Sequence, residues 1–193
     1  MLIVLTGIDG SGKTTAARAL VESARAEGRS ALLLSNHAGR RQLSLLAEKV
    51  GFTMPPRVAD FIETGVRLFT VLVNHARAGR ADSLVVMDRH LHCQLALRES
   101  KGLKRGRLLQ WLLRMLPAPD LAVHFDVDPR RAHQRVMARG TDKETLADLQ
   151  AFRDAYRALP ELSGFVVVDA NGTPDEVLTR LNRLIDAKEL TCV

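Results

Sequence analysis

The sequence predicts an α/β fold of three layers, with a five-stranded parallel sheet between two layers of helices. Short apolar runs of strand length alternate five times with segments whose apolar residues recur every three or four positions. The first run leads directly into a glycine-rich loop and a helix. Such alternation is typical of parallel sheets with helices on both faces. The five runs are residues 2–5, 31–35, 84–87, 121–125 and 165–168.

Length and composition favour one globular domain over residues 1–193. Of the 193 residues, 46% are hydrophobic and 26% are charged, which suits a chain that buries a sizeable core. Two cysteines, Cys93 and Cys192, are too few for a disulfide framework and indicate a reducing compartment. No apolar run reaches the roughly 20 residues that span a bilayer, and the apolar start has no basic leader. We therefore expect a cytoplasmic protein without a membrane partner.

The net charge of +6 raises the question of nucleic-acid binding. Aromatic residues make up only 4% of the chain, and the arginines are scattered over helical segments rather than gathered in a basic tail. We therefore expect no nucleic-acid partner. Solvated helix faces together with a small anionic substrate account for the basic balance instead.

Residues 7–14, which read Gly-Ile-Asp-Gly-Ser-Gly-Lys-Thr, match the P-loop or Walker A pattern. The glycines let successive backbone N–H groups point at phosphate oxygens, and the helix that follows presents its positive end to the same anion. Lys13 is expected to reach the β- and γ-phosphates, and the Thr14 hydroxyl is expected to be a magnesium ligand. The residues predicted to bind a nucleoside triphosphate here are Gly7, Asp9, Gly10, Ser11, Gly12, Lys13, Thr14 and Thr15.

The third apolar run ends in Asp88-Arg89-His90. A carboxylate at the end of a strand beside a P-loop is suited to a magnesium site, so Asp88 is the second predicted metal ligand. We place His90 and His92 in a loop as ordinary polar residues, because no third metal ligand stands at a recognised spacing. Cys93 is interpreted as a packed thiol.

The longest helical pattern covers residues 57–78 and is predicted to bury one apolar stripe in the core. Glu63 and Arg67 lie off that stripe, where they can face a cleft. A shorter helix is predicted at 43–50, and another at 108–116 with Trp111 packed. The stripe consists of Val58, Phe61, Ile62, Phe69, Leu72, Val73 and Ala76.

Several arginines leave two interpretations open. Arg40 and Arg41 follow the second run, where they either contact phosphate or are solvated. Pro129 opens a helix capped by Asp128, and this helix carries Arg130 and Arg131. Its arginines either form a cationic lid with the polar loop that follows or cover a solvated face.

Taken in order, these motifs resemble the thymidylate kinase family of nucleoside-monophosphate kinases over nearly the whole chain. The combination of the P-loop, the Asp-Arg-His triplet and a later Arg-Gly pair is more specific than any one of them. The motifs that carry the resemblance are Asp9 within the loop, Asp88-Arg89-His90, Pro119-Asp120, Asp126-Val127-Asp128-Pro129, Arg135 with Arg139-Gly140, residues 152–156 and residues 168–170.

The resemblance implies a P-loop kinase with a short lid at about residues 139–146, which transfers the γ-phosphoryl group of ATP to a nucleoside monophosphate with Mg²⁺. It implies that Asp9 holds a sugar hydroxyl, that Arg67 and Arg89 bind the acceptor phosphate, and that Tyr156 closes over the base. It places Arg135 near ATP and allows a homodimer, with the helix of residues 57–78 at its interface. The catalytic residues it implies are Lys13, Asp88, Arg89, Arg139 and Lys143.

The chain departs from the family pattern at the acceptor side and in the lid. Where the family usually has a serine and an Ala-Tyr-Gln run, this chain has Cys93 and Ala96-Leu97-Arg98. The loop has Gly10 where some members carry a basic residue, so Lys143 in the lid is expected to supply that charge. Thymidylate is the default acceptor. The alternatives are a related kinase of another nucleotide, a nucleoside or a small metabolite, and an ATP-binding regulatory module.

Overall fold

The computed structural model describes residues 1–36, 56–140 and 144–191, apart from the side chains at 56, 57, 59 and 191. This part of the chain forms five strands and seven α-helices, with one or two α-helices between consecutive strands. The strands are β1 (Leu2–Gly7), β2 (Ala31–Ser35), β3 (Leu84–Asp88), β4 (Leu121–Asp126) and β5 (Val166–Asp169). The helices are α1 (Lys13–Ala26), α2 (Pro56–Ala78), α3 (Leu91–Ser100), α4 (Arg107–Met115), α5 (Pro129–Arg139), α6 (Leu146–Arg157) and α7 (Pro174–Thr191).

All strand pairs are parallel, and the sheet order is β2-β3-β1-β4-β5. The predicted α/β fold with a five-stranded parallel sheet is therefore confirmed. β1 lies at the centre, where Leu5 is opposite Asp88 of β3 and Gly7 is opposite Phe125 of β4. The P-loop after β1 and the triplet after β3 therefore meet at the carboxyl edge of the sheet, where open α/β sheets bind ligands.

Alternate side chains of the central strands enter two separate apolar clusters. Ile3 and Leu5 belong to the larger cluster, which also includes residues of α1, α3, α6 and α7. Val4 packs instead with Leu34, Val85 and Met87 on the opposite face. Since successive side chains of a strand point to opposite faces, both faces of the sheet are covered, as expected for parallel strands with continuous apolar sequences.

The apolar stripe predicted to be the core face of α2 is exposed, and that prediction is wrong. Phe61 is 79% exposed and Phe69 is 68% exposed. The same holds for Val58, Leu72, Val73 and Ala76, whereas Ile62 is partly buried. The inward face of α2 is mostly polar instead. It carries Asp60, Glu63, Arg67, Val71, Asn74 and His75, all buried.

Two further sequence predictions are corrected. Residues 91–100 form helix α3, so His92 lies in the first turn of a helix and His90 precedes it as the N-cap, rather than both lying in a loop. Nothing in the sequence marked the start of α3, because histidine is not a typical N-cap residue and the His90 side chain makes no capping hydrogen bond. Trp111 is 55% exposed, because α4 turns other residues, including Leu109, towards the core.

The predicted cap of α5 is confirmed, since the Asp128 side chain accepts a hydrogen bond from the backbone N–H of Arg130 and Pro129 opens the helix. Other predictions lie outside the described residues: the helix at 43–50, Arg40 and Arg41, and residues 141–143 of the lid, which include Lys143. Within the part of the chain described here, every helix is too short or too polar to cross a membrane.

Candidate active site

The P-loop is held in its curled form by glycines at its beginning and middle. Gly7 has φ 139°, and a Cβ added there would lie 2.6 Å from the carbonyl oxygen of Phe125. Gly10 has φ 80°, and a Cβ there would collide with the backbone of Ala132. Larger residues are therefore excluded at both places. Gly12 is the N-cap of α1, so the loop delivers the positive end of that helix to the carboxyl edge of the sheet.

Lys13, the first residue of α1, is folded back over the loop. Its Nζ donates hydrogen bonds to the carbonyl oxygen of Ile8 at 2.6 Å and to Ser11 Oγ at 3.0 Å. Burial and, to a smaller extent, the charge of Arg89 together lower the pKa of Lys13 to about 8, although Asp9 and Asp88 act in the opposite direction. A buried ammonium group of this kind gains favourable interactions when phosphate oxygens arrive.

Thr14 and Asp88 bring two oxygen ligands together from neighbouring elements. Thr14 Oγ1 donates a hydrogen bond to Asp88 Oδ2 at 2.6 Å. The other carboxylate oxygen, Oδ1, is buried and has no hydrogen-bond partner among residues 1–36, 56–140 and 144–191. A carboxylate with an unused oxygen beside a hydroxyl is a donor set that Mg²⁺ prefers, so these residues fit the cation.

Arg89 is turned towards the P-loop by an unusual backbone conformation. Its φ of 74° lies in the left-handed region, which is uncommon for a residue with a side chain. The Arg89 N–H donates to the carbonyl oxygen of Leu5 at 3.0 Å, and Asn36 Nδ2 donates to the Arg89 carbonyl oxygen at 2.7 Å. These contacts hold the strained residue so that its guanidinium pairs with Asp9.

The Asp9–Arg89 ion pair is mostly buried, with side chains 17% and 22% exposed. Burial by itself raises the pKa of Asp9, but the charges of Arg89 and Lys13 outweigh it and hold that pKa well below its usual range. Asp9 therefore stays ionised at neutral pH. An ionised carboxylate of this kind accepts hydrogen bonds from sugar hydroxyls.

Arg67 is a buried guanidinium with unused donors. Its side chain is 4% exposed, and Nη2 lies 3.6 Å from Glu63 Oε1. Its Nε and Nη1 are buried and find no hydrogen-bond partner in the described part of the chain. Because a buried cation without full pairing is costly, this site favours binding of an anion.

Tyr156 lies in the interior, with no exposed surface. Its ring packs against Phe152, with centroids 5.0 Å apart, and against His124 at 4.8 Å. Its hydroxyl is buried and has no hydrogen-bond partner in the described part of the chain. Burial, with a smaller effect of the neighbouring Cys93, raises the pKa of Tyr156 well above its ordinary value. Cys93 is also buried, in agreement with its interpretation as a packed thiol. This structure therefore does not bring Tyr156 to an accessible cleft surface.

Arg135 joins the P-loop to the segment after β5. Its guanidinium donates to the carbonyl oxygens of Gly10 at 3.3 Å, Ala170 at 3.1 Å and Gly172 at 3.1 Å. Arg139 is exposed in the last turn of α5, and Thr15 is exposed in the first turn of α1. The structure therefore brings Arg135 to the loop, whereas Arg139 is an exposed residue at the end of α5.

Sequence reasoning missed a chain of three histidines beside Arg89. His75 Nε2 lies 2.9 Å from His90 Nε2, and His90 Nδ1 lies 3.1 Å from His92 Nδ1. Burial lowers the pKa of all three, that of His92 to about 4. No metal-binding group of three or more His, Cys, Asp or Glu side chains is found in the described ranges. Their sequence spacing gave no signal, because α2 and α3 meet only in the fold.

Two amide side chains, which the sequence analysis also did not predict, hold the backbone of Arg89 in position. Asn74 Nδ2 of α2 donates to Asn36 Oδ1 at 2.9 Å, while Asn36 holds the carbonyl of Arg89. The only signal available was Asn36 at the end of a strand that leads to the carboxyl edge of the sheet. The two amides make the position of Arg89 depend on α2.

A glycine-rich anion loop, a folded-back lysine and a carboxylate at the end of the neighbouring strand define a P-loop phosphotransferase. A model of the family described as thymidylate kinase matches residues 5–181. The chain therefore belongs to the thymidylate kinase family, and it is an ATP-dependent nucleotide kinase.

Individual relatives match nearly the whole chain. The "Probable thymidylate kinase" of Pyrobaculum aerophilum is 27% identical over 187 residues, which cover 95% of each chain. The thymidylate kinase of Xylella fastidiosa is 30% identical over 190 residues, with 96% of this chain and 90% of the relative covered. That of Xanthomonas oryzae pv. oryzae is 31% identical over 193 residues, with 97% and 83% covered.

Proposed function

We propose that this chain transfers the γ-phosphoryl group of ATP to the phosphate of thymidylate. The observation that carries the acceptor side is the buried Arg67 guanidinium, whose Nε and Nη1 have no partner among the described residues. A nucleoside monophosphate brings the dianion that such a group lacks. The family and the names of the relatives support thymidylate as the nucleotide.

In the proposed reaction, the P-loop N–H groups and the start of α1 bind the ATP phosphates. Lys13 Nζ leaves its hydrogen bonds to Ile8 and Ser11 and binds the β- and γ-phosphates. Thr14 and Asp88 would hold Mg²⁺, which when bound neutralises charge on the transferring phosphoryl group. Little covalent help is required of the protein, because positioning and charge neutralisation supply most of the catalysis in phosphoryl transfer.

On the acceptor side, Arg67 and Arg89 bind the acceptor phosphate and aim one of its oxygens at the γ-phosphorus. A bond forms between these two atoms as the bond from the γ-phosphorus to the β,γ-bridging oxygen breaks, which leaves ADP and a nucleoside diphosphate. Asp9, kept ionised by Arg89, accepts a hydrogen bond from the sugar hydroxyl. The Asp9–Arg89 ion pair therefore joins a residue that binds the acceptor phosphate to a residue of the P-loop.

The remaining site residues belong to the donor side. We propose that Arg135 shapes the ATP site through its contacts with Gly10 and the segment after β5. Arg139 and Lys143 belong to a lid of about residues 139–146 that covers the phosphates. Cytoplasmic location and a single kinase domain over 1–193 remain predictions of the same proposal.

A homodimer is part of the proposal because α2 presents an apolar face to solvent. Phe61, Val66, Phe69, Leu72 and Val73 are all exposed on this one helix. Exposed apolar patches of this kind mark interaction surfaces. A second copy of the chain is the occupant that the family resemblance favours.

The proposal is tested by following ADP release with Mg²⁺ and ATP against a panel of nucleosides and nucleoside monophosphates, thymidylate included. Rapid release with thymidylate is expected, and Lys13→Ala should abolish it. An exposed basic residue of the same helix, Arg18, gives the control variant Arg18→Ala. Release that requires a different acceptor, or ATP binding without release, would overturn the assignment of thymidylate.

A further inference from the structure

Asn36 supports the chain at the point where strand pairing ends. The last paired residue of β2 is Ser35, which is opposite Asp88 of β3. Beyond it, the Asn36 N–H donates to the carbonyl oxygen of Asp88 at 2.9 Å, and the side-chain Nδ2 donates to that of Arg89 at 2.7 Å. Asn36 has no exposed surface. A side chain therefore fixes the backbone of Arg89 where the sheet no longer does.

The direction of the two amide hydrogen bonds is determined by the Arg89 carbonyl group. A carbonyl oxygen accepts hydrogen bonds and does not donate them, so the NH₂ group of Asn36 faces Arg89. Asn36 Oδ1 then faces Asn74, whose Nδ2 donates to it at 2.9 Å. Asn74 is therefore the donor on which the orientation of Asn36 depends. A side chain without an N–H group at position 74 would take this partner from the buried Asn36 oxygen.

The backbone of Arg89 requires such support. Its φ of 74° is disfavoured for a residue with a Cβ, and conformations of this kind persist only where the surrounding structure holds them. The direction of the Cα–Cβ bond follows the backbone, so a change of φ at Arg89 would move the guanidinium away from Asp9, with which it is paired. The two amides therefore determine where the guanidinium of Arg89 lies, although neither of them contacts it.

Helix α2 carries Arg67 and at the same time supports Arg89. Asn74 lies seven residues after Arg67, so the two residues share one face of the helix about 10.5 Å apart along its axis, and both are buried. The residue after Asn74, His75, contacts the residue after Arg89, since Nε2 of His75 lies 2.9 Å from Nε2 of His90. Two adjacent residues of α2 thus hold two adjacent residues of the segment after β3. The distance between the two arginines is therefore set through this helix.

We propose that Asn74 is a positioning residue for phosphoryl transfer, which acts through Asn36 to hold Arg89 at a fixed place relative to Arg67. The assignment rests on the proposed function, because there the two arginines bind the same acceptor phosphate. Both guanidinium groups must reach that phosphate while one of its oxygens is aimed at the γ-phosphorus. Since a misplacement of about 1 Å can lower the rate about 100-fold, the support of Arg89 should affect kcat.

The experiment measures ADP release with thymidylate in Asn74→Leu and Asn74→Ala, each alone and combined with Arg89→Lys. Leucine keeps the volume of asparagine and alanine does not, but both lack the donor. Both variants should lower kcat about tenfold and change the KM for ATP less than about twofold. In the Arg89→Lys enzyme, which lacks the guanidinium that Asn74 positions, the same substitutions should lower kcat less than about twofold. A residue that only stabilises the fold would have the same effect with Arg89 and with lysine at position 89.

Asn182→Leu, at a partly buried asparagine of α7, is the matched control and should keep the wild-type kcat. Unchanged kcat in both Asn74 variants, or an equal loss in the presence and absence of Arg89→Lys, would overturn the role of Asn74 and leave the proposed function intact. Two variants that no longer fold, as measured by their thermal unfolding midpoints, would also overturn it, because Asn74 would then support the fold as a whole. A wild-type enzyme that releases no ADP with any nucleoside monophosphate would overturn both proposals.

Discussion

Thr14 Oγ1 and Asp88 Oδ2 are joined by a 2.6 Å hydrogen bond that connects the first turn of α1 to the end of β3. The two residues are 74 positions apart in sequence, and adjacent parallel strands bring them together. Because Asp88 Oδ1 has no partner in the described part of the chain, the pair retains oxygen ligands for a cation.

Thr14→Ala should therefore raise the Mg²⁺ concentration that gives half-maximal turnover, by about tenfold, because one oxygen ligand is lost. Thr14→Ser keeps the hydroxyl and should stay close to the wild-type value. The measurement is a Mg²⁺ titration of ADP release at fixed ATP and acceptor. Thr179→Ala, on the exposed side of α7, is the control. An unchanged Mg²⁺ dependence in Thr14→Ala would remove Thr14 from the metal site.

Arg67→Ala should raise the KM for the acceptor about 100-fold and change kcat and the KM for ATP little. The expected reason is that Arg67 binds the acceptor phosphate equally in the ground state and the transition state. Arg67→Lys keeps the charge but loses the planar guanidinium, so its KM for the acceptor should lie between those of the wild-type enzyme and Arg67→Ala. Initial rates over a range of acceptor concentrations provide the measurement, with the exposed Arg77→Ala of the same helix as control. Wild-type acceptor kinetics in Arg67→Ala would exclude the contact.

Local patterns in the sequence predicted the fold well. Each strand is a short apolar run that needs no knowledge of its neighbours, and the P-loop is a contiguous motif. The cap of α5 by Asp128 was also local. The regular alternation of such segments was sufficient to predict a parallel sheet, because the βαβ connection leaves few alternatives.

Helix α2 shows where periodicity is insufficient. It has one apolar and one polar stripe, and periodicity alone does not tell which stripe faces inward. The usual assumption places Phe61 and Phe69 in the core, but the polar stripe with Asp60 and Arg67 faces α3. The buried charge of Asp60 is paired with Arg98 of α3, and this pairing of distant segments has no signature in a single sequence.

Phe61→Glu and Phe69→Glu should each convert a dimer of this chain into monomers. Both side chains lie on the exposed face of α2, where a buried glutamate would lose its hydration without gaining a partner. Light scattering or sedimentation at several protein concentrations measures the mass. Leu190→Glu on α7 is the matched control, since Leu190 and Phe61 are both 79% exposed. A monomeric wild-type protein, or a Phe61→Glu variant that still dimerises, would contradict this use of the α2 surface.

The buried histidines should make stability fall as the pH decreases from about 6.5 towards 4. In the unfolded chain a histidine has its ordinary pKa near 6.5, whereas burial lowers the pKa of His92 and His124 to about 4 in the folded protein. Between these values the unfolded state binds protons that the folded state does not. The contribution of these histidines to the free energy of unfolding is therefore fully present above pH 6.5. It decreases as the pH falls, by up to roughly 1.4 kcal/mol per pH unit for each such histidine.

Urea unfolding at pH 7.5, 6.0 and 5.0 measures this dependence, and His124→Gln separates one contribution from the rest. His124 Nδ1 lies 3.3 Å from Thr6 Oγ1, and glutamine can keep a polar contact there without taking up a proton. The decrease in unfolding free energy between pH 7.5 and 5.0 should therefore be smaller in His124→Gln than in the wild-type protein, even if the variant is less stable at pH 7.5. His133→Gln on α5 is the matched control. A wild-type slope in His124→Gln would show that His124 takes up its proton equally in both states, against the effect expected from its burial.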